Sequence, residues 1–190
     1  MDDIFAKYKL LYVNLSSIID EINSRLISGD DELISNHCNF FTKSFVISIC
    51  TYLESCLKEL AFQAIQNKKA FIINAGLPKN LILWEIKKKT EIKQAEWEFA
   101  NFDITITLED IDDYISGNPG KTIDLFRRVG FDITACTEFK TNKDFVAALV
   151  TKRNSIIHHN DDALDVTLQD LKSYITNIIE YINGIKNHIS

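Results

Sequence analysis

Thr141-Asn142-Lys143-Asp144-Phe145-Val146-Ala147-Ala148-Leu149-Val150-Thr151-Lys152-Arg153-Asn154-Ser155-Ile156-Ile157-His158-His159-Asn160-Asp161-Asp162 is the stretch whose reading decides the fold. Phe145, Val146, Leu149, Val150, Ile156 and Ile157 recur at helical spacing. Thr141 to Asp144 fits a capping box that opens this helix, and Asn160-Asp161-Asp162 closes it. Val146, Val150, Arg153 and Ile157 share one stripe, so Arg153 interrupts an otherwise apolar face. A charge placed there must find an anion, because burying it alone is costly. The candidates are an internal carboxylate such as Glu54, a partner chain, or a bound phosphate. His158 lies about 140° beyond Arg153 on an ideal helix. The two side chains converge only if the helix frays near His158, which the polar run after it favours, or if a twofold axis joins two copies.

The same periodicity extends in both directions. Phe5, Tyr8, Leu11, Leu15, Ile18, Ile22 and Leu26 predict a helix over 2–28, stopped by Gly29 and the acidic turn Asp30-Asp31-Glu32. A second long pattern runs from about Phe40 to Lys69. Its wide apolar stripe (Phe41, Phe45, Ile49, Tyr52, Cys56, Leu60, broadened by Val46, Leu53 and Leu57) places it centrally in the core. Residues 78–120 read as short helices and loops, with an aromatic cluster at Trp97, Phe99 and Phe102. Ile104 to Thr107 is briefly strand-like, yet Thr107 is an equally good helix cap. Gly117-Asn118-Pro119-Gly120 is a turn, Thr122–Val129 a short amphipathic helix closed by Gly130, and Thr167 to Asp170 a capping box opening a last helix to about Ile185. The expectation is one all-α domain over 1–190, with long antiparallel helices and short accessory ones.

Composition agrees with that class. Six Gly and two Pro in 190 residues do not supply the turns of a sandwich or barrel. A net charge of −6 excludes recognition of nucleic acid by a globally basic surface, so any such site is local. One local surplus exists: residues 121–153 hold seven Lys or Arg against four acids, and Lys87-Lys88-Lys89 with Lys93 add to it. Such a run is either an RNA-steering patch or a solvated face. Cys38, Cys50, Cys56 and Cys136 show no zinc-ligand spacing and read as reduced thiols, two of them in a core helix. The acidic Met1-Asp2-Asp3 start is unlike a signal peptide, and no apolar run reaches the roughly 18 residues of a membrane span. These points predict a cytoplasmic protein that does not engage a membrane.

Arg153-Asn154-x-x-x-His158 resembles the R-x4–6-H motif of HEPN domains, a superfamily of small helical proteins rich in ribonucleases. The likeness extends to the helix order: a long central helix carrying a glutamate at Tyr52-Leu53-Glu54, then a short helix at Lys121 to Gly130, then the motif helix. The resemblance implies an endoribonuclease needing no metal or other cofactor, acting at the interface of a homodimer with a composite active site. His158 is then the general base or acid, a helix-end position favouring the acid role. Arg153 holds the scissile phosphate and Asn154 orients it, Glu54 serves as a further active-site group, and the product is a 2′,3′-cyclic phosphate. The implied setting is a toxin or effector of a toxin–antitoxin or anti-phage system, with RNA as substrate and an antitoxin or regulatory protein as partner. Some HEPN toxins carry a tyrosine two residues after the histidine as a modification site. Asn160 stands there, so that control is not carried over.

Plainer readings accompany each residue. Arg153 paired with Glu54 fixes helix packing, Glu54 alone pairs with Lys58 on the surface, and His158 merely ends a helix. His159 is a solvated neighbour, His37 and His188 have no informative context, and the cluster of His158, His159, Asp161 and Asp162 fits no familiar metal site. The rival functions are a non-catalytic HEPN-like module that binds RNA, nucleotide or protein, and a purely structural dimerisation domain.

Overall fold

The structure is a computed structural model that describes residues 1–29 and 31–190; Asp30 of the acidic turn lies outside the described residues. Among the described residues there are seven α-helices: α1 (Asp2–Ser28), α2 (Glu32–Ala75), α3 (Lys79–Lys87), α4 (Leu108–Asp112), α5 (Pro119–Val129), α6 (Thr137–His159) and α7 (Leu168–Ile189). No strand occurs among the described residues. The all-α expectation holds.

Four long helices form the bundle, and their polar contacts fix its directions. Tyr12 Oη donates to the Ile49 carbonyl at 2.9 Å and Lys7 pairs with Glu59, so α1 and α2 run antiparallel. Lys186 pairs with Asp2 and Lys172 with Asp20, which sets α7 antiparallel to α1. Tyr12, Leu53, Leu57, Leu60, Ile178 and Tyr181 are fully buried where these helices meet. Each such leucine contributes about 1.5–3 kcal/mol by leaving water. Phe139 of α6 stacks on Tyr181 of α7 at 5.2 Å, and glycine at position 184 lets the two backbones close up there.

Several predicted boundaries are confirmed by the local chemistry that suggested them. Gly29 ends α1 with φ +72, and Gly130 ends α5 with φ +90. Thr107 and Thr167 form reciprocal caps with Asp110 and Asp170. Other boundaries differ. α2 starts eight residues before Phe40, capped by Asp31 with a kink at His37, and runs on to Ala75. α6 starts at Thr137, so Thr141 and Asp144 lie inside it and form no cap; buried Phe139 draws the preceding turn into the helix. α7 continues to Ile189, whose side chain is buried.

The segment after α2 does consist of short helices and loops, without a strand at Ile104 to Thr107. Its base is closed by Lys79 N–H donating to the Ala100 carbonyl at 2.9 Å and Phe102 N–H to that of Leu77 at 2.7 Å. Phe99 is fully exposed, so the predicted aromatic cluster does not form a packed unit. No described helix is long and apolar enough to cross a membrane.

Candidate functional site

Along α6 the apolar stripe climbs out of the core. Val146 and Val150 are buried, Ile157 is half-exposed, and Arg153 stands between them where the stripe meets the surface. Its guanidinium faces α2, where Nη2 donates to Glu54 Oε2 at 2.9 Å and to the Ser116 carbonyl at 3.3 Å. The Arg153 side chain is 19% exposed and that of Glu54 34%, so the pair is shielded without being sealed. Both contacts use the same nitrogen, and the guanidinium also lies beside the buried Cys50 thiol. The charge therefore found an internal carboxylate, one of the anions the sequence allowed.

The second acceptor depends on the turn between α4 and α5. Gly117 takes a left-handed φ of +69, and a Cβ there would lie 3.4 Å from Val150 Cγ2 and 3.7 Å from Leu53 Cδ2. Glycine thus lets the chain press onto α2 and α6 and aim the Ser116 carbonyl at Arg153. Asn118 then accepts from the Gly120 and Lys121 N–H groups, with Pro119 at the first helical position, to start α5. A cleft of about 290 Å³ opens beside the pair, walled by Glu54, Lys58, Asp112, Ile115, Arg153 and Ile157. Lys58 pairs with Asp112 of α4 rather than with Glu54, contrary to the plainer reading of Glu54. The cleft walls thus carry two cations and two carboxylates.

Helix α6 does not fray. It stays helical through His159, and Asn160 closes it in a left-handed conformation, its N–H and that of Asp161 reaching back to the Ser155 carbonyl. The loop beyond is tied down. Lys152 Nζ reaches Asp165 at 2.7 Å and Asp161 at 3.2 Å, while Lys43 of α2 reaches Asp162 at 2.9 Å. The Ala163 N–H and Lys152 hold Asp161 below the usual carboxylate range, Lys43 does the same for Asp162, and Lys152 for Asp165. The hydrogen bond to Asp165 raises Lys152 in turn, outweighing the opposing effect of burial, and the bond to Asp161 adds to the rise.

This locking decides where the remaining motif residues point. Asn154 and His158 are exposed, and neither side chain makes a hydrogen bond among the described residues. With the helix regular, His158 stays about 140° around α6 from Arg153. The structure brings Arg153 and Glu54 together and leaves Asn154 and His158 on other faces. His159 is exposed as well.

Other predicted groups are placed as follows. Cys50 and Cys56 are buried core thiols, and burial pushes Cys50 up to about 12 despite the nearby Arg153 charge. Of the basic run, Arg127 pairs with Asp124, Lys152 with two aspartates, Lys87 with Glu96 and Lys88 with Glu85. Lys121, Lys140 and Lys143 have no ion-pair partner among the described residues. Lys89, Lys93 and Arg128 likewise have no ion-pair partner among the described residues, so six of these eleven cations are unpaired and five, with Arg153, are paired. No group of three or more His, Cys, Asp or Glu among the described residues is placed to hold a metal ion. Sequence reasoning missed Ser116 and Asp112, and it gave Gly117 only the role of a turn residue and Lys58 that of a surface partner of Glu54.

A family model described as RiboL-PSP-HEPN matches residues 11–190, nearly the whole chain. No curated protein and no solved structure matches it significantly.

Proposed function

The chain belongs to the HEPN family through its RiboL-PSP-HEPN domain, a group with many ribonucleases, and from that premise we propose that it is an endoribonuclease that cuts RNA without a metal as a homodimer. The observation that carries the reading is the Arg153 guanidinium, held at a cleft by Glu54 and the Ser116 carbonyl through Nη2. A guanidinium N–H turned to the cleft can donate to a phosphate oxygen, and the fixed charge attracts it. The regular end of α6 keeps one chain from presenting His158 to its own Arg153, which favours a site shared between two copies.

The ribose 2′-OH loses its proton to one imidazole and its oxygen attacks the neighbouring phosphorus. The bond to the leaving 5′-oxygen breaks, that oxygen takes a proton, and a 2′,3′-cyclic phosphate remains. His158 supplies or accepts one of these protons. Arg153 binds the phosphate and the negative charge that builds on it, Glu54 holds the guanidinium in place, and Asn154 orients the phosphate. The biological setting proposed is a toxin or anti-phage effector restrained by a partner protein. The Arg153–Glu54 pair also favours a second reading, a helical module in which Arg153 only fixes packing.

Purified protein should cut RNA in EDTA and leave cyclic phosphate ends, and Arg153→Ala and His158→Ala should each remain folded and lose cleavage. A 1:1 mixture of the two dead variants should recover about a quarter of wild-type activity, since half the dimers are mixed and each holds one intact site. Cleavage surviving either substitution overturns the assignment, and a mixture that stays dead overturns the shared site.

A further inference from the structure

A second and larger cavity, of about 460 Å³, opens on the opposite side of α4 from the cleft. Its floor is apolar, formed by Ile65 of α2, Ile104 and Ile106 of the preceding segment, Ile111 of α4, and Leu125 and Val129 of α5. Its volume lies within the roughly 300–1,000 Å³ of small-molecule sites. Ile106 is 45% exposed and Tyr114 43%, so apolar surface faces water at the mouth.

The rim carries two cations and two acids. Lys68 and Arg128 line the pocket, and neither has a carboxylate partner among the described residues. Each is instead held over a ring, Arg128 at 4.5 Å from the Tyr114 centroid and Lys68 at 4.5 Å from that of Phe131. A cation over an aromatic face is oriented without being neutralised. Two acids share the rim. Asp110 is committed to the Thr107 cap, its Oδ2 accepting from the Thr107 N–H at 2.7 Å and hydroxyl at 2.8 Å. Asp113 has no ion pair among the described residues, and Asp110 keeps its charge within the cap. The rim therefore balances in number, and Lys68 and Arg128 stay free of any carboxylate partner among the described residues at the edge of an apolar hollow.

We propose that this pocket binds a small amphipathic anion, an apolar body ending in a carboxylate or a phosphate. The apolar body fills the isoleucine-lined floor and the anion meets Lys68 and Arg128. This assignment is independent of the Arg153 cleft, whose walls share no residue with the pocket.

The four floor isoleucines make the test direct. Isoleucine-methyl NMR spectra of the full chain would be followed during titration with decanoate, decyl phosphate and decanol below their aggregation limits. Saturable shifts at Ile65, Ile104, Ile106 and Ile111 are expected with one or both anions, and which one binds identifies the headgroup. Decanol should bind about tenfold more weakly or worse, and the exposed double substitution Lys68→Gln/Arg128→Gln should weaken the anions by about the same factor. Ile106→Trp, which fills the mouth from its exposed edge, should abolish binding while the other methyl signals stay dispersed. Decanol binding as tightly as the anions, anions unaffected by the double substitution, or no pocket shifts with any probe overturns the proposal.

Discussion

Removing the charge of Glu54 tests whether the pair with Arg153 is what holds the guanidinium at the cleft. Glu54→Gln keeps the side-chain shape and deletes the carboxylate that Arg153 Nη2 meets at 2.9 Å. A hydrogen bond to a charged group contributes about 1.5–3 kcal/mol when shielded, whereas exposed ion pairs contribute about 0.2–1 kcal/mol. With Arg153 19% exposed and Glu54 34%, the coupling should fall between these limits, at about 1–2 kcal/mol. At the roughly 2–4 °C per kcal/mol expected for a chain of this size, Glu54→Gln should lower Tm by about 2–8 °C. Arg153→Met, which keeps the apolar stem, should cost less, because the carboxylate left behind is the more hydrated partner. The double variant should regain much of the loss, since an apolar pair replaces a shielded charge pair with little penalty. Urea denaturation of the four proteins closes the cycle. Additivity within about 0.3–0.5 kcal/mol would mean the two groups do not act as a pair, and Arg153 would need another anchor.

Two further outcomes follow from contacts elsewhere in the bundle. Gly184→Ala should be severely destabilising, beyond the typical 1–3 kcal/mol of overpacking, because the new Cβ would sit 2.4 Å from Glu138 Cβ at the α6–α7 crossing; a change in urea midpoint no larger than that of an exposed Gly→Ala would refute the close approach. Acid should loosen the end of α6, because Asp161, Asp162 and Asp165 titrate lower in the folded chain than in the unfolded one. Their stabilisation is present above the ordinary carboxylate value of about 4 and disappears as pH falls through the lowered folded values. Lys152→Met should flatten the fall of urea midpoint below that pH, and profiles parallel to wild type would refute the role given to Lys152.

What the sequence made legible was whatever its own neighbours enforce. Thr107 with Asp110, Thr167 with Asp170, and Gly29 and Gly130 act within four residues, and each boundary they mark is where expected. The start of α6 was misplaced because two rules compete over residues 137–144. The Thr141 box is locally sound, but buried Phe139 extends the helix from outside the window. At the candidate site, Arg153 in an apolar stripe signalled that an anion was needed, and Glu54 could be named as one option. The Ser116 carbonyl, the Lys58–Asp112 pair and the pocket behind α4 were invisible, since each depends on how a five-residue helix docks between distant elements. Fraying at His158, one of the two routes to convergence that the sequence left open, does not occur for a similar reason: Asn160 to Asp165 reads as a polar run, and it becomes a locked loop only through Lys43 and Lys152.

That locked loop bears directly on how the proposed ribonuclease would work. A frayed helix end would let His158 swing toward Arg153, and a monomer would then contain both groups. With Lys152 and Lys43 pinning the loop, the imidazole keeps the direction set by the helix pitch, roughly 140° from the guanidinium. A spacing of five residues therefore separates the two groups on one chain while leaving each accessible to a second copy. Loosening the loop by Lys43→Met and Lys152→Met should then leave dimer formation intact but reduce cleavage, because the histidine offered to the partner's phosphate site loses its fixed aim. Cleavage that is unchanged by a loosened loop would show that the histidine needs no such positioning.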